Sequence, residues 1–336
     1  MPDPQQLAEL AQGEHVDAVA ALEQATTEAA VGQTDGQFVA LIEKTLAAWA
    51  ALTAGAGAAT VSAEALRRLL SAVRAAVRRI LTPLGPRAQR ALNGALVDAV
   101  RLGGDQQAEF YREAAGRRAA APTPSVTRAL RQLADGIEQT VTDRRDRALA
   151  LLHVRQARTW GDILTGIGAA RSAVSAVRAH VSWVIGQAVN DGIAAGIAAV
   201  GARRLWVAER DACTGCLAYA GTVVDVGEPF PGGLNFDPRQ RDTDTPGIDS
   251  PPLHPHCRCR LVAWHDRWDR QADPLPEVLR EQALVAVAEG VGRPTESRAA
   301  RVRAAAALLA SGVHLPPAAR RAAQQAARTG RFPQTA

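Results

Sequence analysis

Lysine is nearly missing from this sequence. Lys44 stands against 38 arginines, aromatic residues make up 4% of the chain, and no run of about 18 consecutive apolar residues occurs. The last absence excludes a conventional membrane-spanning helix. The polar, acidic stretch Met1 to Glu14 also lacks the basic-then-apolar order of a secretion signal. The expectation is a soluble protein made and kept in a cytoplasm, with no membrane partner. Catalytic signatures are missing too: no G-x-x-x-x-G-K-[ST], no G-x-G-x-x-G after a strand, no H-E-x-x-H and no G-x-S-x-G. Neither an enzyme nor a small-molecule substrate is expected. Acidic residues stop at Glu296, after which Arg298, Arg301, Arg303, Arg320, Arg321, Arg328 and Arg331 follow unopposed. With a net charge of +5 and a pI near 9.5, this basic tail permits contact with a polyanion and marks these seven arginines as candidate nucleic-acid contacts.

At 336 residues the chain is long enough for two or three domains with a real hydrophobic core. Up to about Gly201 the pattern is helical, rich in alanine and leucine, with breaks at Gly55, Gly57, Pro83 and a Pro122-Thr123-Pro124 hinge. Leu66, Leu70, Val73, Val77 and Ile80 recur at helical spacing, with Arg67, Arg74 and Arg78 turned away from them. After the hinge, Ser125 is placed to cap a helix whose stripe is Val126, Leu130, Leu133, Ile137 and Val141. A further helix runs through Val174, Val177, Val181, Val184, Ala188, Ile193 and Ile197. Its Gly186, Gly192 and Gly196 would permit a close neighbour at some cost in propensity.

From Leu205 the composition changes. Trp206–Ala208, Thr222–Val224 and Leu261–Trp264 read as short strands around a Pro-, Gly- and Asp-rich loop spanning Gly227 to Pro255. All four cysteines fall in this stretch, as Cys213-Thr-Gly-Cys216 and, about forty residues on, His254-Pro-His-Cys257-Arg-Cys259. A C-x-x-C turn presents two thiolates to one tetrahedral ion at about 2.3 Å, and a second pair closes the site. Zinc, tying two distant stretches together as a structural ion, is the expected cofactor. Either all four cysteines bind, which requires a turn at Arg258 because residues two apart in a strand face opposite ways, or His254 replaces one of Cys257 and Cys259. His256 is expected to face solvent, as are Asp237, Asp242, Asp244 and Asp249. Disulfides would suit an exported chain, which nothing here signals. A redox C-x-x-C normally opens a helix in an α/β fold and is not matched by a second cysteine pair.

Two blocks carry a family resemblance. The stretch Trp206-Val-Ala-Glu-Arg-Asp-Ala-Cys213-Thr-Gly-Cys216-Leu-Ala-Tyr-Ala-Gly221, with Pro251-Pro-Leu-His254-Pro-His-Cys257-Arg-Cys259-Arg-Leu261, resembles the signature of the phage Mu F-like minor head proteins, the phage head morphogenesis family. The likeness extends more faintly over residues 170–265. Two positions depart from the family pattern: Arg178-Ala179-His180 stands where members often carry Arg-Thr-Glu, and His256 where Asn is usual. The resemblance implies a virion component of a tailed phage or prophage, in the capsid interior or at the portal vertex and in the host cytoplasm during assembly. Its partners would be the portal and other head or scaffold proteins, with packaged DNA a candidate for the basic tail.

The expected architecture is mainly α. A multi-helix N-terminal region (1–121) and a second helical region (125–204) lead into a zinc-stabilised α+β module (205–265), followed by a linker and helical basic tail (266–336) peripheral to the core. The rival reading is a nucleic-acid-binding zinc protein. Against it stand the aspartate-rich loop and the lack of an aromatic and basic stripe for stacking bases.

Overall fold

In the computed structural model, residues 3–54, 62–242, 244–268, 274–293 and 296–333 are described, so the breaks expected at Gly55 and Gly57 lie outside the described residues. The described residues are 66% helix and 4% strand, the mainly α class expected. In order it forms α1 (Pro4–Gln12), α2 (Glu14–Val31), α3 (Thr34–Thr53), α4 (Ala63–Leu81), α5 (Leu84–Ala115), α6 (Arg128–Asp135), α7 (Ile137–Leu151), α8 (Trp160–Ala199), β1 (Arg203–Val207), α9 (Thr214–Leu217), β2 (Val223–Val224), β3 (Arg260–Trp264), α10 (Leu275–Glu289), α11 (Arg298–Ala310) and α12 (Pro317–Thr329). No described helix is long and apolar enough to cross a membrane.

Contacts divide the chain into two units. One comprises Met1–Ala21, Val97–Ser125 and Gly186–Ala336, the other Leu22–Leu96 and Val126–Ile185. This division cuts across the four consecutive segments expected from composition. The reason is length: α2, α5 and α8 each contribute residues to both units, whereas compositional breaks mark only where the chain turns.

The all-helical unit is built as its periodicity dictates. On α4, Leu66, Leu69, Leu70, Val73, Ala76, Val77, Ile80 and Leu81 are buried against α3 and α7, and Ser62 caps the helix by accepting from Ala65 N at 3.2 Å. The cap expected at Ser125 is instead Thr127, whose hydroxyl accepts from Leu130 N at 3.2 Å, and Gly136 divides the expected helix into α6 and α7. Leu130, Ile137 and Val141 nevertheless stay buried. Arg87 closes the end of α2, donating to Ala30 O at 2.7 Å, Val31 O at 2.6 Å and Thr34 Oγ1 at 2.6 Å. His180, one of the departures from the family pattern, is hydrogen-bonded to Leu133 O at 2.8 Å. Arg178 pairs with Asp35 at 2.5 Å.

The other unit holds an antiparallel sheet of order β2-β1-β3, with β1 central and Leu205 opposite both Val223 and Val262. β3 is an edge strand, yet all five of its residues are buried. Its outward backbone N–H groups are met by side chains: Leu261 N donates to Asn190 Oδ1 and Ala263 N to Gln107 Oε1, both at 3.1 Å. Two long helices thus cap an edge that would otherwise invite another strand. The scarce aromatics concentrate here, with Trp206 stacked on Tyr219 at 4.8 Å and edge-on to Phe230 at 5.0 Å between ring centroids.

The C-terminal helices correct the expectation of a peripheral tail. α10 packs on α1, α11 and α12, and α11 packs on α9. Ala300, Ala304, Ala305, Leu308, Ala319, Ala323 and Ala326 are buried.

Within this unit α5 and α8 cross so closely that a Cβ on Gly103 would overlap the carbonyl of Val189, and one on Gly192 the carbonyl of Val100. Of the three α8 glycines singled out, Gly192 serves the helix crossing, Gly196 makes room for Gln107, and Gly186 faces Pro252 and the Cys257 carbonyl. Gly192→Ala should destabilise by about 1–3 kcal/mol through overpacking. Exposed Gly94 on α5 meets nothing within 4 Å, and Gly94→Ala should stabilise by about 0.5–1 kcal/mol through helix propensity. Urea denaturation of the two variants measures both signs.

Candidate metal centre

β1 delivers the chain into the site. Past Val207 a turn closes by Ala212 N donating to Glu209 O at 3.0 Å, and Cys213 then caps the single turn α9, its sulfur accepting from Cys216 N at 3.5 Å. A C-x-x-C opening a short helix after a strand is more of the redox context than the sequence suggested; what separates it from that context is the second cysteine pair. That pair arrives from Pro251–Cys259, where Cys257 N donates to His254 O at 3.1 Å. β3 begins only at Arg260, so Cys257 and Cys259 lie on a loop and escape strand alternation; both are buried.

The four cysteines are free thiols, which removes the disulfide alternative in this structure. Together with His254 they form one compact group. Cys213 Sγ lies 3.2 Å from His254 Nε2, Cys216 Sγ lies 3.4 Å from the same nitrogen, and Cys216 Sγ lies 3.5 Å from Cys257 Sγ. Two triads, Cys213–Cys216–His254 and Cys216–Cys257–Cys259, each have all donor atoms within 4.8 Å of one another and share Cys216. A tetrahedral ion with bonds of about 2.3 Å sets donors roughly 3.8 Å apart, so the spacing within each triad fits.

Electrostatics point the same way. A hydrogen bond with Cys216, reinforced by His254, pulls Cys213 down to about 4. The hydrogen bond with Cys216, together with that to Cys259, holds Cys257 well below an ordinary thiol. Cys216, sharing its proton with Cys213 and Cys257, is pushed well above. For Cys259 the hydrogen bond with Cys216 acts downward, but that with Cys257 and burial outweigh it and push the thiol well up. Contact with Cys213 raises His254 to about 9. Four thiols this close thus divide into two that ionise readily and two that resist. A divalent cation lets all four ionise together, which is the chemistry of such a donor set.

The outer contacts were not foreseen. Glu209, 6% exposed, accepts from Arg258 NH1 at 2.8 Å and from Arg293 NH2 at 3.0 Å. Thr214, inside the C-x-x-C turn, donates from both N and Oγ1 to Glu296 Oε1, at 3.0 and 2.6 Å. Arg260 is buried and donates to Gln106 Oε1 at 2.8 Å and His15 O at 3.0 Å; burial lowers it to about 9, and Cys259 and Glu209 act to hold its charge. The positions of Glu209 inside the first block and Arg258 between two cysteines were the only sequence hints of these roles.

Other expectations resolve individually. His256 is exposed, with φ of 62°. Asp242, Asp244 and Asp249 are exposed, but Asp237, expected on a solvated surface, is fully buried and held by Arg303 at 3.0 and 2.6 Å. The sequence places Arg303 some 66 residues away, where no local pattern could pair it. Arg301 donates to Gly290 O at 2.9 Å. Of the seven tail arginines, Arg298, Arg320, Arg321, Arg328 and Arg331 remain exposed, without an ion-pair partner among the described residues.

The Asp237–Arg303 pair predicts an asymmetry. The carboxylate is fully buried while Arg303 is 31% exposed, so Arg303→Met strands a buried charge and should destabilise more than Asp237→Asn, which removes that charge. Because the hydrogen bond from Arg303 lowers the Asp237 pKa, the pair's contribution is present above the ordinary carboxylate pKa and fades as pH falls through the depressed value. Denaturation of both variants at neutral pH and near pH 3 should show the difference from wild type shrinking in acid. Comparison with protein-family models, with curated proteins and with solved structures finds no match.

Proposed function

We propose that this chain is a structural minor capsid protein of a tailed phage or prophage, acting in head morphogenesis beside the portal, with zinc as a structural ion at its cysteine cluster. The observation that supports it is the meeting of the two signature blocks: Cys213 and Cys216 of the first and Cys257 and Cys259 of the second converge after a helix and a central strand. A soft, thiolate-rich tetrahedral site favours zinc over magnesium or calcium. Four cysteines are the proposed ligands, on grounds of charge. Arg258, Arg260 and Arg293 less Glu209 leave two positive charges around the cluster, which matches the double negative charge of zinc with four thiolates. His254 then acts by hydrogen bonding to Cys213. With four protein ligands no position remains for a reactive water, so the ion supplies folding energy and no catalysis.

Purified protein should hold about one zinc per chain, and Cys216→Ser should lose it. Mass spectrometry of purified particles should find the chain at a low, fixed ratio to the portal protein. Particles that lack it while the gene is expressed would remove the head-protein reading and leave the zinc site standing.

Packaged DNA is a second proposed partner. On α12, Arg320, Gln324, Arg328, Arg321 and Gln325 share the solvent face, opposite buried Ala319, Ala322, Ala323 and Ala326. The rival zinc-regulator reading loses support because Arg260 and Arg293, beside the cluster, are buried, and Arg258 is engaged by Glu209. If about four of the five exposed arginines meet phosphates, binding should weaken with salt at a log–log slope near −4. Replacing Arg320, Arg321 and Arg328 by Gln should reduce that slope by about three in gel-shift titrations. An unchanged slope would show that DNA, if bound, is held elsewhere.

A further inference from the structure

The segment that joins α10 to α11 reaches the residues flanking the cluster through specific polar contacts. Arg293, four residues past the end of α10, is 8% exposed and enters between the two metal-binding limbs. Its NH2 donates to Glu209 Oε2 at 3.0 Å and its NH1 reaches Pro255 O, beside His254, at 3.4 Å. The other oxygen of Glu209 holds Arg258, which sits between Cys257 and Cys259. One buried carboxylate therefore joins the C-x-x-C strand, the C-x-C loop and a residue some 34 positions beyond that loop. Three residues past Arg293, Glu296 receives both hydrogen bonds from Thr214 in the other limb.

We infer that Arg293 is an outer-shell positioning residue of the metal site, and that metal binding and docking of the C-terminal helical hairpin are coupled. This rests on the reading that the cluster holds a metal. With a dication and four thiolates the centre carries excess negative charge, and Arg293 is the one of its three neighbouring arginines supplied by the C-terminal segment. Without the ion, the limbs bearing Thr214, Glu209 and Pro255 lose the constraint that sets their spacing, and the contacts to Arg293 and Glu296 lose their geometry. Coupling of this kind is reciprocal: whatever the ion adds to docking of α11 and α12, docking adds to affinity for the ion. Outer-shell contacts of metal ligands act on affinity at about 10- to 100-fold.

The test uses the full-length chain and zinc itself, in competition with a chromophoric chelator, for wild type, Arg293→Gln, Arg293→Lys and Glu296→Ala. Arg293→Gln should weaken zinc binding by about 10- to 100-fold. Arg293→Lys, which keeps the charge and loses the fork, should fall between. Glu296→Ala leaves the Glu209 contacts intact and should weaken zinc by a smaller factor, which keeps the inference testable if Arg293→Gln folds poorly. In parallel, stripping zinc from wild type should accelerate trypsin cleavage at Arg320 and Arg321 about 10-fold or more relative to cleavage at Arg67 and Arg68 on α4. Wild type that binds zinc while all three variants bind it equally well overturns the inference alone. So does a cleavage rate indifferent to zinc. Wild type that binds no zinc removes the metal reading, and the inference with it.

Discussion

Cys216 is the thiol on which both halves of the cluster close, 3.4 Å from His254 and 3.5 Å from Cys257. Between Ala218 and Leu253 the described residues form a loop with two strand residues and one isolated bridge, Phe230 to Ile248. Ordering so long a stretch without regular structure is entropically costly, and the apolar contacts of Phe230 and Tyr219 with Trp206 offset only part of it. Closing the loop at its two ends makes the rest tractable. It fixes where β3 returns beside β1, and with it the positions of Leu261 and Ala263, whose N–H groups find Asn190 and Gln107. Asn190 also donates to Cys259 O at 3.2 Å, so α8 reads the cluster's position directly.

The near-total preference for arginine over lysine gains a physical meaning in this setting. Arg87 satisfies three acceptors at the end of α2, and Arg260 bridges Gln106 and His15 O in the interior. Arg204 donates to Asp249 O at 2.6 Å and also to Glu228 O, fastening two points of the long loop to β1. An ammonium group has no planar fork for such divided contacts and loses its charge more readily on burial. Base composition accounts for the abundance of arginine equally well, but the burial of these side chains makes them expensive to exchange whatever their origin.

What the sequence revealed follows from how local each signal is. The stripes of α4 and α8, the three short strands and the helical character of the tail were legible because periodicity and turn residues act over a few positions. The cluster was legible because a thiol has few other reasons to recur at C-x-x-C and C-x-C spacing. Thr127, and not Ser125, caps α6 because cap choice depends on where the preceding loop leaves the backbone, which proline spacing alone does not fix. Long-range ion pairs were invisible. Asp237 looks like any loop aspartate until Arg303 arrives beside it, and Glu209 needs Arg258 and Arg293 at once. The grouping into two units escaped for the same reason, since one continuous helix shows no sequence mark where its packing partners change.

The tail helices show why such ion pairs matter to a chain of this composition. α11 and α12 bury mostly alanine, and a methyl group contributes less than half the transfer free energy of a leucine side chain. Alanine faces are also smooth, so helices packed through them lack the interlocking that resists sliding or rotation by a turn. Apolar burial alone would hold α11 and α12 near α10 without fixing their register. Arg303 on Asp237, Arg301 on Gly290 O and Phe332 packed over Gly290 supply directional or shaped contacts at separate points. Each desolvated charge costs stability that a hydrophobic substitute would not, so these pairs are better understood as setting position than as adding strength. A segment built this way docks in one register or lets go, which is the behaviour needed if its hold on the cluster depends on whether the ion is in place.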